Sequence, residues 1–534
     1  MKPKKQAKKN PKTPIKTRRQ ARAAHTSGAG RVISPFATAS GGGGYAGAST
    51  MRGLSGWNAS SYDADSDLLP VLDVLRNRAQ EQYRNNPAAH GVINRIVTGT
   101  VGAGLSVRSI IDRTILGLDE TAAREWEDAA EREFRLWADS RECDFSRRMT
   151  FNEIQMLAMK SQKVRGDCFV LMSWRPREGV PYDLRLQLIE GDRISNPQSR
   201  ADDDEIAGGI ERDANGIPVA IHIQATHPGN VFTTRSMDWK KVPIFGTKSH
   251  RRQVLHLMNF ERVDQSRGEP CLAPAMATLK QLNRYAEAEL AAAIANAVLS
   301  VFVKRPLEGE NLQTGLEARY SDEDRAAWEN RSLTLGPGTW IDGAPGEELQ
   351  TVSASRPSAQ FDPFFAACVK QVGMAEGVPY EVLAQFFQSS YSASRAAILE
   401  AGKTFKVNRS WLRNNLCQPI YEEFLTEAVV KGRLTAPGFL TDPIIRAAYC
   451  QSEWMGPSPG QIDPVKEVTA AWLRWWYGFS TMGKETAELS EADFEQVSYS
   501  RAKEFNLLKQ LGIGFEPLLK QAMEMSSKED DENA

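Results

Sequence analysis

Apolar residues recur every three or four positions in some stretches of this chain and every second position in others, and they are sparse over the first sixty. "SDLLPVLDVLRNRAQEQYRNN" places Leu72, Val74 and Leu75 among polar residues behind an Asp/Ser start, which predicts a helix. "PAAHGVINRIVTGTVGAG" predicts a second, shorter helix stopped by glycines, with the strand "LSVRSI" after it. "DETAAREWEDAAEREFRLWAD" is strongly amphipathic, with Trp126, Ala130, Phe134 and Trp137 along one face, a stripe that reads as core.

Between 150 and 260 the period shortens. "DCFVLMSW", "DLRLQLI", "PVAIHIQ" and "RQVLHLM" are strand-like runs parted by turns, and "ERDANGIPVAIHI" reads as a hairpin. The expected fold class is α+β with substantial antiparallel sheet. From Pro274 to about 300 the chain is rich in alanine, an excellent helix former whose small side chain allows close helix–helix approach but supplies little core. Such a helix packs beside neighbours, copies of itself included, or is buried at the centre of a monomer. Short strands and Gly/Pro turns then surround the helical patch "SDEDRAAWEN". A second helix is predicted over about 358–376 and a long helical tract over about 392–431. After "EWMGPSPGQIDP" the C-terminal part reads as helical, including "VKEVTAAWLRWWYGF" and a helix near 491–511.

Size and composition narrow the class. The 534 residues exceed one ordinary core, and 41% apolar with 25% charged is the profile of a soluble globular protein. No run of 18 apolar residues occurs, so no membrane-spanning helix is expected, and the basic start lacks the apolar stretch of a secretory signal. Six widely spaced cysteines read as reduced, mostly buried thiols of a cytosolic protein. The net charge of −1 hides an asymmetry: residues 1–62 hold twelve Lys/Arg and no Asp or Glu, so the remainder carries about −13. That low-complexity start reads as a disordered arm, either in electrostatic contact with nucleic acid or an acidic partner, or simply solubilising.

Candidate chemistry is thin. Gly402-Lys403-Thr404 ends like a phosphate-binding loop, but position 397, where such a loop needs glycine, is Ala397, and "AAILEA" favours a helix over a phosphate cradle. Lys403 reads as one exposed helical lysine. No zinc-protease, nucleophile-elbow or dinucleotide motif is present. "ADDDE" at 201–205 reads as a solvated acidic loop, and His222 and His256, each inside an apolar strand, read as structural. The expectation is a structural or assembly protein with no catalytic residues, no cofactor and no metal.

Four segments together carry a resemblance: "RISNP" (193–197), "SRGEPCLAPAM" (266–276), "GVPYEVLAQFFQSSYSASRAAILEAGKTF" (377–405) and "EWMGPSPGQIDPVKEVTAA" (453–471). In order, spacing and wording the chain resembles the portal proteins of tailed bacteriophages, of the lambda type, over roughly residues 55–510. The Tyr-Ser-x-x-Arg and Trp-x-Gly…Ile-Asp-Pro segments are the most specific parts. The basic first 30 residues are less typical of that family.

The resemblance implies a dodecameric ring at the capsid's portal vertex, a channel for double-stranded DNA in packaging and ejection. It implies a mixed α/β wing, helical stem, small α/β clip and mostly helical crown. Carried over, the map gives an arm at 1–64, wing at 65–268 and first stem helix at 269–299, followed by the clip at 300–355. The second stem helix follows at 356–383, a channel-facing tunnel loop at 384–394, returning wing at 395–455, crown at 456–525 and an acidic tail at 526–534. The implied channel residues are Gln385, Phe386, Phe387, Gln388, Ser389, Ser390 and Tyr391, although both phenylalanines could equally pack within the wing. The implied partners are other copies of the chain, DNA, the terminase large subunit, capsid and scaffold proteins, and head-completion proteins, with no membrane. The implied location is the virion, and the host cytoplasm during assembly. Competing readings are a terminase-like packaging ATPase and another capsid connector.

Overall fold

Four segments far apart in sequence meet at one buried carboxylate. A computed structural model describes residues 61–232, 238–297, 301–303, 340–342, 361–387, 390–458, 464–490 and 494–512. Strand β1 is Ser106–Ser109 and β2 Asp167–Trp174; β2 is the central strand of an antiparallel three-stranded sheet between β3 (Leu184–Glu190) and a later strand, Val254–Met258. Between them lie β4 (Ile206–Ala207), β5 (Ile210–Arg212), β6 (Pro218–Gln224) and β7 (Trp239–Pro243), a second antiparallel sheet in that order. The expected hairpin is β5–β6, and Gly216 takes the positive φ of 84° that its turn requires. The strand at Val254–Met258 is β8. Phe169, Ile189 and Val254 of the first sheet pack with Ile194, Ile210, Ile221 and Ile223 beside the second.

Helices cover the other side. Pro87–Val101 starts at Asn86, whose side chain accepts from the Ala88 and Ala89 amides, and Phe151–Arg165 opens on a Thr150/Glu153 capping box. The amphipathic helix is Glu120–Ala138, and Phe134 stands at the centre of its buried stripe. Phe134 meets Phe151, Tyr421, Phe424 and Trp454 edge-on, with centroids 5.2–5.9 Å apart. Each such pair contributes about 0.5–1.5 kcal/mol beyond burial. Trp454 lies in β11 (Ser452–Met455), which pairs antiparallel with β1 across more than three hundred residues, so the chain's late part closes the early core. The remaining strands, β9 (Val301–Val303) and β10 (Trp340–Asp342), form a parallel pair.

The alanine-rich helix is Met276–Ala297, and it packs beside Phe361–Glu376 through Leu282, Cys368 and Val369, with Tyr285 against Phe361 and Phe364. The long tract is Tyr391–Leu412, a π-turn at Arg413–Cys417, and Gln418–Val430. Pro419 explains the break: it has no N–H for the carbonyl four residues back, and its ring crowds that carbonyl. All six cysteines are free, and no described helix is long and apolar enough to cross a membrane.

The carboxylate at the meeting point is Asp167, fully buried at the start of β2. Arg76, from the helix Leu72–Asn85, reaches its Oδ1 at 2.7 Å; Arg267 reaches Oδ2 at 2.6 Å and Oδ1 at 3.2 Å. Arg267 also donates to the carbonyls of Ile194, Gly208 and Gly191, which uses all five of its N–H groups. His256 stacks on Phe169 at 4.1 Å with Nε2 3.4 Å from Asp167. Burial alone would push the Asp167 carboxyl up; Arg267 and Arg76 overcome that and hold it well below the usual carboxylate range. Glycines make room for the cluster: a Cβ at Gly191 would lie 1.9 Å from Asp167, and one at Gly268 would lie 2.1 Å from the Gly166 carbonyl.

A second carboxylate, Glu376, half-buried, ends the helix Phe361–Glu376 near Lys163 and Cys271, and its shielded Oε1 has no hydrogen-bond partner. Burial pushes it up to about 7, against the pull of Lys163.

Two outcomes follow from these carboxylates. Asp167→Ala leaves two buried guanidiniums uncompensated and should cost about 3–5 kcal/mol in urea unfolding. Glu376 holds its proton more tightly folded than unfolded, so its contribution is complete below about pH 4.5 and lost as pH rises through about 7. Glu376→Gln should therefore flatten the stability–pH curve between those values and gain about 1–3 kcal/mol at pH 8.

Candidate functional site

The segment 377–409 is built as a short exposed loop between two anchored ends. At its entry Gly377 has φ 66° and its carbonyl accepts from the Thr404 hydroxyl at 2.7 Å. Val378 is buried, and its amide returns to the carbonyl of Gly373, where a Cβ would meet the Val378 carbonyl at 2.5 Å. One helical turn, Tyr380–Ala384, follows and stops at Gln385 in the left-handed region, φ 53°. That conformation is uncommon for a residue with a Cβ, and it redirects the chain outward. Phe386 is 51% exposed and Phe387 47% exposed, outside the hydrophobic clusters of the described residues.

Ser390 begins the next helix, its Oγ accepting from the Ala393 amide at 3.4 Å, and Tyr391 is the first helical residue. The long helix expected from about 392 begins at Tyr391, with Ser390 supplying the cap. Gln388 and Ser389 lie outside the described residues. Thus the structure places Gln385, Phe386 and Phe387 on one side of the loop's tip and Ser390 and Tyr391 on the other.

The far end of Tyr391–Leu412 is locked into the body. Phe405 lies so close to Gly99 that a Cβ there would meet its ring at 2.4 Å. Arg409 donates to the carbonyls of Thr100, Gly99 and Pro457 at 2.8–3.4 Å. Nearer the loop, Arg395 pairs with Glu467 at 2.5 Å. Gly402 sits within this unbroken helix, and Lys403 is exposed and paired with Glu400 one turn earlier. Nothing here resembles a phosphate cradle, whose amides must be free of helical bonds.

The other candidate polar groups serve the fold. In "ADDDE", Asp203 accepts from the Glu205 and Ile206 amides and Asp202 from the Gly208 amide and Asn196. His222 faces Glu211 at 3.1 Å. Glu190, Asp192 and His227 approach one another, but Asp192 is engaged by Arg165 and lies 3.9 Å from Arg76. Sequence reasoning missed Arg76, Asp167 and Arg267 as one cluster, and it missed Arg409 as an anchor. The signal available for them was wording: Arg267 lies in "SRGEPCLAPAM", Ile194 and Asn196 in "RISNP", and Pro457 in "EWMGPSPGQIDP".

Comparison with known proteins bears on what these segments mean. The family model described as phage portal protein, lambda family, matches residues 50–409. Portal protein B of Escherichia phage lambda is 23% identical over 468 residues, 84% of this chain and 87% of that protein. The portal protein of Escherichia phage N15 is 23% identical over 481 residues, 87% and 89% of the two. Among solved structures, a chain from the virion of a native gene transfer agent particle is 14% identical, covering 78% of this chain and 92% of that one, with a TM-score of 0.37. With its family model running from before the first described helix to Arg409, the chain belongs to the lambda family of phage portal proteins, a structural component and not an enzyme.

Proposed function

We propose that this portal protein assembles into a closed ring of about twelve copies at one capsid vertex, with double-stranded DNA passing through the centre during packaging and ejection. The observation that carries the reading is the uncharged sequence 385–390, with Phe386 and Phe387 half-exposed and the chain anchored on both sides. A surface that touches moving DNA must not bind it, because each Lys–phosphate contact releases counterions and adds affinity. Phe386, Phe387 and the neighbouring Gln and Ser side chains offer contact without charge. The roughly −13 of the chain beyond its arm, repeated around a ring, gives a repulsive field strongest in the lumen.

On this reading the paired helices 276–297 and 361–376 belong to the stem, 300–355 is the clip, 65–268 and 395–455 form the wing, and 456–525 the crown. The clip meets the terminase large subunit during packaging and head-completion proteins afterwards, while the wing meets capsid and scaffold. The protein works in the host cytoplasm during assembly and remains in the virion. Energy for translocation comes from the partner motor.

A photoreactive residue at 386 or 390 should cross-link packaged DNA in filled particles; adducts elsewhere in the channel with none at either position would remove the loop from the DNA path. On this reading the basic arm contacts scaffold, capsid or packaged DNA. Deleting residues 1–31 should reduce procapsid yield or DNA content several-fold while leaving ring formation intact, and unchanged yield, DNA content and infectivity would refute that role.

A further inference from the structure

The C-terminal helices carry many aromatic residues and bury almost none of them. Among the described residues of 464–512 only Ala471 and Glu485 are buried. Helix Pro464–Trp476 shows Val465, Val468, Trp472 and Trp476 along one outward stripe, continued by Tyr477 and Phe479. Trp472 is 50% exposed, Trp476 65%, Tyr477 69% and Phe479 82%, and the rings of Trp472 and Trp476 stack at 5.6 Å. At roughly 150–250 Å² per aromatic side chain, these four leave on the order of 500 Å² of apolar surface uncovered. That is near the upper end of what a monomer shows as one patch, and over half of the roughly 800 Å² per partner in a standard interface.

The helix Phe494–Gln510 is barer still. Tyr499, Phe505, Leu507 and the following Leu511 are exposed, together with Arg501, Lys503 and Lys509. A 17-residue helix with no buried side is marginal in water. The ion pairs tying this unit to the rest of the chain are Arg395–Glu467, Lys406–Glu488, and Arg108 and Arg124 with Glu495. Apart from Arg395–Glu467, whose carboxylate side chain is 14% exposed, these pairs lie at the surface and contribute little each.

We infer that the hydrophobic core of 464–511 forms between copies, the tryptophan stripe of one copy covered by the helix 494–510 of the next. This rests on the ring reading above. A closed ring needs two different, mutually complementary patches on every copy, and this unit carries two. The stripe offers electron-rich aromatic faces; the other helix brings Lys503 and Lys509, which suit such faces, among apolar side chains, while Arg501 lies over Phe505 of its own helix. The C-terminal unit therefore becomes ordered on assembly, whereas the body does not need it.

Hydrogen exchange of the full-length protein, as assembled particles and as monomers isolated by dilution, tests the inference. Peptides across 464–511 should exchange at least tenfold more slowly in the assembly, while peptides across 167–174 stay equally protected in both. The double variant Trp472→Ser/Trp476→Ser should lose that gain and shift the assembly equilibrium toward monomer at least tenfold, with body protection unchanged. Rings with 464–511 unprotected would overturn this inference and leave the ring reading standing. Protection gained in open, unclosed oligomers would support the contact and refute the ring. Protection already present in the monomer and lost on truncation after residue 512 would assign the cover to the chain's own last residues and overturn the inference. The absence of any oligomer would overturn both readings.

Discussion

Everything in the body is oriented by a single buried carboxylate with two arginines closed on it. Taking Asp167, Arg76 and Arg267 out of water carries a desolvation cost that hydrophobic packing alone would avoid. The cost is offset because no donor of Arg267 is wasted: two N–H groups face the carboxylate nearly side by side, and the others hold the carbonyls of residues 191, 194 and 208. Those carbonyls belong to the turn leaving β3 and the turn entering β5. The cluster therefore fixes how the second sheet meets the first, and through residues 266–276 it fixes where the helix 276–297 departs. Apolar burial is non-directional; a fully satisfied guanidinium specifies one arrangement.

Rigidity there matters because of what hangs from it. Phe386 and Phe387 are half-exposed, so their position is inherited from the anchored ends on either side. One end is the Gly373–Val378 turn against Thr404, and the other is a helix pinned by Phe405 on Gly99 and by Arg409 on three carbonyls. Helix Pro87–Val101, which receives both pins, packs in the same core as β2 and Phe134. A short chain of close contacts thus runs from the Asp167 cluster to the loop, and it passes through glycines at the closest approaches. On the proposed reading, a channel constriction repeated in each copy needs this property, since a loop free to wander would not define a bore.

The elements were largely legible in the sequence, because their periods are local: the 3.6-residue stripe through Phe134, the alternation around Val170, the Asn-Gly turn before β6. Their meetings were not. Nothing near Ser106 announces that β1 pairs with a strand containing Trp454, and nothing near Asp167 announces arginines 91 residues before it and 100 after it. Charge pairing across such separations leaves no periodic trace. It surfaced only as unexplained wording, in segments recognisable as a family's before any reason for their residues was visible. The start of the long tract, expected near 392, is fixed at Tyr391 by a feature the sequence shows only as a serine: Ser390 Oγ accepting from the Ala393 amide.

Two kinds of polar contact divide this chain by function. At the centre of the body, Asp167 is buried and closed on by Arg76 and Arg267, and removing one of the three leaves a charge with no solvent to return to. Between the body and the C-terminal helices, the ion pairs lie at or near the surface, where water replaces a lost partner at small cost and salt weakens what remains. The first kind makes a unit that folds before it meets other copies. The second holds a unit loosely in place while its aromatic surface stays uncovered. On the proposed ring reading, that division would let the core form first and leave the aromatic surface to be covered by a neighbouring copy.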